Sequence, residues 1–326
     1  MTATPQDAQI GQLVRPECLG SVIAKTTRID GRVLRTMLPR AHADTQARRT
    51  GLADAVVEMP EEPRTIGAAG PQREEIVDPL FQLQGRRALV TGASSGLGAY
   101  FAGVLAARGA EVVLAARRVE MLESVAGRLR EEGAKVSTVI LDVTDADSRN
   151  ALMHACGHVD ILVNNAGVVR QGAALAQSEQ DWDQVMGTNL RGMFFVAQAV
   201  AATMRDRAGG TIINVASILG LRQAGGVLPY AVSKAGVIQM TQSMALEWAR
   251  YGIRVNALAP GYFETELNQD FWLSPSGEAL IGRIPQRRLG QLPDLAGPLL
   301  LLSSDASRYM TGATIAVDGG HLVSSL

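Results

Sequence analysis

From Gly85 to the end of the chain, short apolar runs alternate with segments of helical length. The runs at 87–91, 111–115, 136–141, 159–163, 211–216, 253–258 and 313–317 are rich in Val, Ile, Leu and Ala and have the length of strands. Between them lie segments at 97–109, 119–132, 146–155, 179–206, 230–250 and 293–303 that are long enough for helices. Strands that are apolar throughout, rather than alternately, are buried on both faces, and helices between them supply the crossovers of a parallel sheet. Right-handed crossovers then predict an α/β fold, a doubly wound parallel sheet of the Rossmann type.

Residues 1–84 have a different texture: seven of the 13 prolines fall there, with mixed charges and no sustained period. They are expected to be a poorly structured extension to a single domain at 85–326, with a short helix as the one element suggested, within 23–49. A transit segment, against which Asp7, Glu17 and Asp30 count, and a true start at Met59 stay open beside that reading.

Composition narrows the function. Lys and Arg total 31 against 32 Asp and Glu, a formal charge of −1, which lacks the basic excess that nucleic acid or a membrane surface demands. Cys18 and Cys156 stand far apart, and the four histidines form no ligand cluster, so neither a disulfide framework nor a metal site is expected. With no run of 18 apolar residues and no signal-peptide core, a soluble, cytoplasmic protein is expected.

The first strand is followed at once by Thr91-Gly92-Ala93-Ser94-Ser95-Gly96-Leu97-Gly98 and then by an apolar-periodic helix. Glycines let backbone approach a pyrophosphate closely, and the helix start offers unpaired N–H groups and partial positive charge. The spacing is T-G-x-x-x-G-x-G. In this the chain resembles the short-chain dehydrogenase/reductase family over about three quarters of its length, in particular the 3-oxoacyl reductase and sugar or polyol dehydrogenase branches.

At the end of the second strand Ala116 occupies the place where an acid would bond the adenosine ribose, and Arg117 and Arg118 follow. A guanidinium pairs with a 2′-phosphate and no carboxylate repels it, so NADP(H) is expected ahead of NAD(H). The resemblance further implies that Asp142 and Val143 meet the adenine, that Asn164, Ala166 and Gly167 flank the adenosine side, and that Pro260, Gly261 and Thr265 hold the nicotinamide carboxamide. It also places a substrate lid after Thr265, and Val169, Leu219, Tyr262, Phe263, Phe271 and Trp272 are the expected wall residues.

The sharpest signal is Tyr230-Ala231-Val232-Ser233-Lys234. On a helix, positions i and i+4 share a face, so phenol and ammonium point into one space. A nearby cation makes the phenol a better base at neutral pH. Only three of the 31 basic residues are lysines, and one stands here. Ser217, at the end of the fifth strand, sits where α/β folds bind ligands and is able to hydrogen-bond a carbonyl or alkoxide. With Asn189 these residues match the family's catalytic tetrad in order. The resemblance implies hydride transfer between a nicotinamide and a carbonyl or secondary alcohol, with Ser217 orienting the oxygen, Tyr230 moving its proton, Lys234 tuning Tyr230 and Asn189 completing a relay through water. A small carbonyl or alcohol substrate and a homo-oligomer, tetramer or dimer, are the expected partners.

Overall fold

The computed structural model describes residues 78–264 and 272–324, together with the strands 24–29 and 32–37. The chain divides into two compact units, Met1–Gly70 and Pro71–Leu326.

In the first unit β1 (Ala24–Ile29) and β2 (Arg32–Met37) pair antiparallel, with Ala24 opposite Met37 and Ile29 opposite Arg32. This corrects the expectation of a short helix here. Thr26, Thr27, Ile29 and Val33 are β-branched and favour extended backbone. In the sequence the two strands are separated by Asp30-Gly31, a dipeptide that favours the tight turns of hairpins.

The second unit holds a seven-stranded parallel sheet: β3 (Arg87–Thr91), β4 (Glu111–Ala116), β5 (Val136–Ile140), β6 (Ile161–Asn164), β7 (Gly210–Val215), β8 (Ile253–Pro260) and β9 (Thr314–Val317). Their order is β5-β4-β3-β6-β7-β8-β9, so the direction of winding reverses between β3 and β6. Ligands in such sheets bind beyond the carboxyl ends of the strands at that reversal. Residues 78–84, assigned to the extension by sequence, pack on this unit, since Leu83 is 1% exposed and belongs to its core.

The period of two along each strand divides the core between the faces. Ala88 and Val90 of β3 pack with α1 (Gly96–Ala107), α2 (Val119–Glu131) and α7 (Ala296–Ser303). Leu89 between them faces α3 (Ala146–Cys156), α5 (Met193–Arg205) and α6 (Leu228–Trp248). Both faces are therefore covered, as the continuous apolar runs required.

One helical segment departs from expectation. The stretch 179–206 is not a single helix: α4 (Glu179–Met186) and α5 are joined by a π-turn at Gly187–Gly192. The residues there, Gly-Thr-Asn-Leu-Arg-Gly, include four of low helix propensity. Such turns concentrate at functional sites because they break the regular helical pairing and re-aim a side chain. This one carries Asn189.

Candidate active site

A cleft of about 740 Å³ runs across the carboxyl ends of the strands, from Ala116, Arg117 and Asp142 at one end to Tyr230, Tyr262 and Trp272 at the other. Gly92, Ser94, Ser95, Gly96, Leu97 and Gly98 form its floor beside β3.

Two glycines of that floor are required by geometry. Gly92 has φ +66, a left-handed conformation that side chains avoid. A Cβ on it would stand 2.9 Å from the Cα of Ala166, and a Cβ on Gly98 would stand 2.3 Å from the carbonyl oxygen of Gly92. Loop and helix start thus pack backbone on backbone. Ser95, the N-cap of α1, makes no side-chain capping bond, so the first turn keeps N–H donors for an anion. The floor fits the pyrophosphate of a dinucleotide.

The two arginines after β4 divide their work. Arg118 donates through its NH2 nitrogen to the Ser94 and Ser95 hydroxyls, at 2.9 and 2.6 Å. Arg117 reaches the Asp142 carboxylate at 3.7 Å across a more exposed gap. Burial pushes the Asp142 carboxyl up, but hydrogen bonds from Thr144 and the charge of Arg117 outweigh it and hold the group below its ordinary range. Asp142 also accepts from the Thr144 N–H and hydroxyl, a turn that shapes the cleft end.

Asn164 lies elsewhere than expected. It is 1% exposed and does not line the cleft. Its Nδ2 donates to the Met193 carbonyl at 2.8 Å and toward Asn214 at 3.4 Å. As the last residue of β6 it shares the face of Leu162, two positions back, which packs under α5. Asn165, one residue on, takes the cleft position: its Nδ2 donates to the carbonyls of Thr91 and Gly92, at 3.0 and 3.3 Å, and so ties β6 to the glycine floor. Ala166 and Gly167 line the cleft, as do Val143, Pro260 and Gly261, whereas Thr265 and Phe271 lie outside the described residues.

At the other end Ser217 follows β7 and accepts from the Leu219 N–H at 3.1 Å, capping a 3₁₀ turn. Tyr230, near the start of α6, lines the same cleft wall as Ser217, whose hydroxyl favours the ionised phenol. Lys234, one turn along α6, is 3% exposed and donates through Nζ to the Val215 carbonyl at 2.7 Å. Its Nζ stands 5.5 Å from the centre of the Tyr230 ring. Burial pushes the ammonium down to about 8.

The protein's own groups do not make the phenol acidic. Burial pushes Tyr230 above its ordinary value, and the hydrogen bond with Ser217 offsets only part of this. The expectation is that Lys234 together with the charge of an oxidised nicotinamide lowers the phenol; within the protein alone, desolvation exceeds the local help. Asn189 is also more constrained than expected. Its Oδ1 accepts from the Val168 N–H at 2.8 Å, and its Nδ2 donates to the Val168 carbonyl and the Ser233 hydroxyl, at 2.9 and 3.1 Å. It is fully buried and does not line the cleft. Its side chain fastens the π-turn to the loop after β6, rather than facing a ligand.

Val169, Leu219, Tyr262, Phe263 and Trp272 form the wall beyond Tyr230, and sequence reasoning missed Ile218 and Val227 beside them. Tyr262 packs edge-on against Trp272 with ring centres 5.5 Å apart.

Comparison with known proteins agrees with this geometry. The family described as short chain dehydrogenase matches residues 86–275. Gluconate 5-dehydrogenase of Gluconobacter oxydans is 43% identical over 250 residues, covering 75% of this chain and 98% of its own. A 3-oxoacyl-[acyl-carrier-protein] reductase of Thermotoga maritima is 38% identical, covering 74% of this chain and all of its own length. The crystal structure of a gluconate 5-dehydrogenase from Burkholderia cenocepacia, in complex with NADP and tartrate, superposes with a TM-score of 0.72 at 40% identity, covering 76% of this chain and 98% of that one.

Proposed function

The chain belongs to the short-chain dehydrogenase family and is an oxidoreductase, and from that premise we propose that it moves a hydride between NADP(H) and a secondary alcohol or ketone of a sugar-like or polyol substrate. The observation that carries this reading is the placing of Ser217, Tyr230 and Lys234 together on the wall of a cleft whose other end holds a glycine floor and two arginines. Three relatives point the same way by name: the gluconate dehydrogenase above, a 2-dehydro-3-deoxy-D-gluconate 5-dehydrogenase of Escherichia coli and a D-threitol dehydrogenase of Mycolicibacterium smegmatis.

The residues divide into holders and proton movers. The helix start after Gly96 holds the pyrophosphate, Arg118 with Ser94 and Ser95 the 2′-phosphate, and Asp142 with Val143 the adenine. Pro260 and Gly261 bound the nicotinamide. When bound, the nicotinamide supplies or accepts the hydride. Ser217 orients the substrate oxygen and polarises it. Tyr230 gives that oxygen its proton in reduction and takes it in oxidation. Lys234, charged at neutral pH, adds positive potential beside the phenol, and Asn189 positions the loop at Val168 against which substrate and cofactor rest.

The test is the loss of NADPH or NADH absorbance with a panel of ketoses, keto sugar acids and 3-oxoacyl thioesters, run in both directions. Turnover of a ketose or keto sugar acid with NADPH is the expected result, and no turnover of any member would sink the proposal. The same assay checks the cofactor assignment. Arg118→Ala is expected to raise the KM for NADPH about 10- to 100-fold, because one charge-assisted contact to phosphate is worth roughly 1.5–3 kcal/mol, while the KM for NADH stays within about twofold. Equal losses with both cofactors would show that Arg118 only braces the loop.

A further inference from the structure

Arg149 is a buried cation for which the proposed reaction has no direct use. It stands on α3, on the face turned toward the sheet, 7% exposed. Its NH1 nitrogen donates to the Val143 carbonyl at 2.8 Å, and its guanidinium carbon stacks 5.2 Å from the centre of the Phe195 ring. Arg191 stacks on that same ring at 5.3 Å. Among the described residues no carboxylate pairs with Arg149. Burying a guanidinium without a counter-charge is costly, and an apolar side chain would fill an interior helix position more cheaply. What the charge accomplishes must be sought at the atom it holds.

That atom belongs to the cleft. Val143 lines it next to Asp142, at the end opposite Tyr230. Its carbonyl is pinned from two sides, by Arg149 and by the backbone of the π-turn: a Cβ on Gly192 would stand 2.6 Å from the Val143 oxygen. Gly192 allows the approach, and Arg149 closes it. The aromatic ring under the guanidinium belongs to the first turn of α5, which begins at the residue after Gly192. The segment following β5 keeps one bond to the neighbouring strand, from the Leu141 N–H to the Ala116 carbonyl, and one from the Asp142 N–H to the Ser148 hydroxyl; beyond these, the Val143 carbonyl is set against the start of α5.

We infer that Arg149 is a positioning residue for the adenosine half of the cofactor: it fixes the Val143 main chain and so the surface on which the base rests. The inference depends on the cleft's being an NADP(H) site, as proposed above. Asn189 is held separately, by Val168 and Ser233, so the reacting end does not rely on Arg149.

The experiment measures NADPH binding by its fluorescence, 2′,5′-ADP binding by calorimetry, and kcat at saturating NADPH. Arg149→Met keeps an unbranched apolar stem but loses the donor and the charge. It is expected to weaken both ligands about tenfold, the value of one charge-assisted hydrogen bond, with kcat within about twofold of wild type. Arg149→Lys, which keeps a donor for the carbonyl, is expected to recover most of the loss. Phe195→Leu, which removes the stacking face and leaves the donor, is expected to weaken both ligands about threefold, and it decides the matter should Arg149→Met not fold. Wild-type affinity in Arg149→Met, or in Phe195→Leu if that variant alone folds, would overturn the inference. So would a fall in kcat with unchanged affinity, which is the mark of a merely structural residue. If wild-type protein binds neither NADPH nor 2′,5′-ADP, the assignment of the cleft itself fails, and this inference with it.

Discussion

Tyr230→Phe is expected to lower turnover about 10³-fold in both directions while leaving the affinity for NADPH within about twofold, since the change deletes one oxygen and with it the proton transfer proposed for it. The phenol lines the cleft wall with Ser217, and burial holds its proton more tightly than in water. In reduction this is an advantage: at neutral pH the group stands protonated and ready to donate. In oxidation it is a barrier, because the phenol must first give its proton up. The protein's own groups do not lower that barrier enough, as the balance between burial and the Ser217 bond shows. An oxidised nicotinamide, when bound, would supply further positive charge in addition to the Lys234 ammonium. The two directions should therefore differ in pH dependence. Reduction by wild type stays flat from about pH 6 to 8, whereas oxidation climbs as pH rises, because more of the enzyme carries the phenolate. In Tyr230→Phe the residual oxidation rate loses that climb. Full activity in the variant, or an unchanged pH profile, would remove Tyr230 from the chemistry.

Much of this arrangement was legible in the sequence, for identifiable reasons. Strands buried on both faces are written as unbroken apolar runs, so the order of strands and helices in the larger unit could be read directly. The floor at Gly92 and Gly98 was legible because backbone-on-backbone packing admits no other residue. The pair Tyr230 and Lys234 followed from helical periodicity. The errors arose where one residue of phase decides. Asn164 and Asn165 are chemically identical, and only the alternation of β6, with Leu162 facing α5, separates the one that braces a helix from the one that faces the cleft. That parity was present in the sequence and was the signal that was missed. The division between Arg117 and Arg118 was not present there, because it depends on where Asp142 and Ser94 arrive from other strands. The π-turn at Gly187–Gly192 was hidden for a similar reason: its glycines interrupt a pattern that otherwise continues through α4 and α5, and what stabilises it, Asn189 on Val168, is a contact between distant segments. The depth at which Tyr230 is buried was not legible, because proximity of a cation is visible in sequence whereas burial is not.

Lys234 is the point at which function and stability pull apart. Its Nζ is buried against the Val215 carbonyl, and desolvation brings its pKa down to about 8 from an ordinary 10.5. The sign follows from counting protons. Below about pH 8 both folded and unfolded chains hold the proton, and the folded state bears the full cost of an ammonium taken out of water. Between about 8 and 10.5 the folded chain has released the proton and the unfolded chain has not, so stability rises with pH across that window and levels off above it. The gap from about 8 to 10.5, at about 1.4 kcal/mol for each tenfold, is worth about 3 kcal/mol. Lys234→Met removes the charge at similar volume. Allowing about 1 kcal/mol for the Val215 carbonyl left without its donor, the variant should be about 2 kcal/mol more stable at pH 7. That corresponds to a Tm roughly 4–8 °C higher for a domain of this size. Turnover should fall about 10²- to 10³-fold, because the phenol loses the positive potential that sustains proton transfer. Melting curves at pH 7 and 9.5 check the physical argument without any assay. Wild type should gain stability between the two relative to Lys234→Met, and the two proteins should converge. A variant that melts lower at pH 7, or a constant gap between the two curves, would show that the ammonium is not paying a desolvation cost, and the reading of this lysine as a group retained for chemistry would lose its basis.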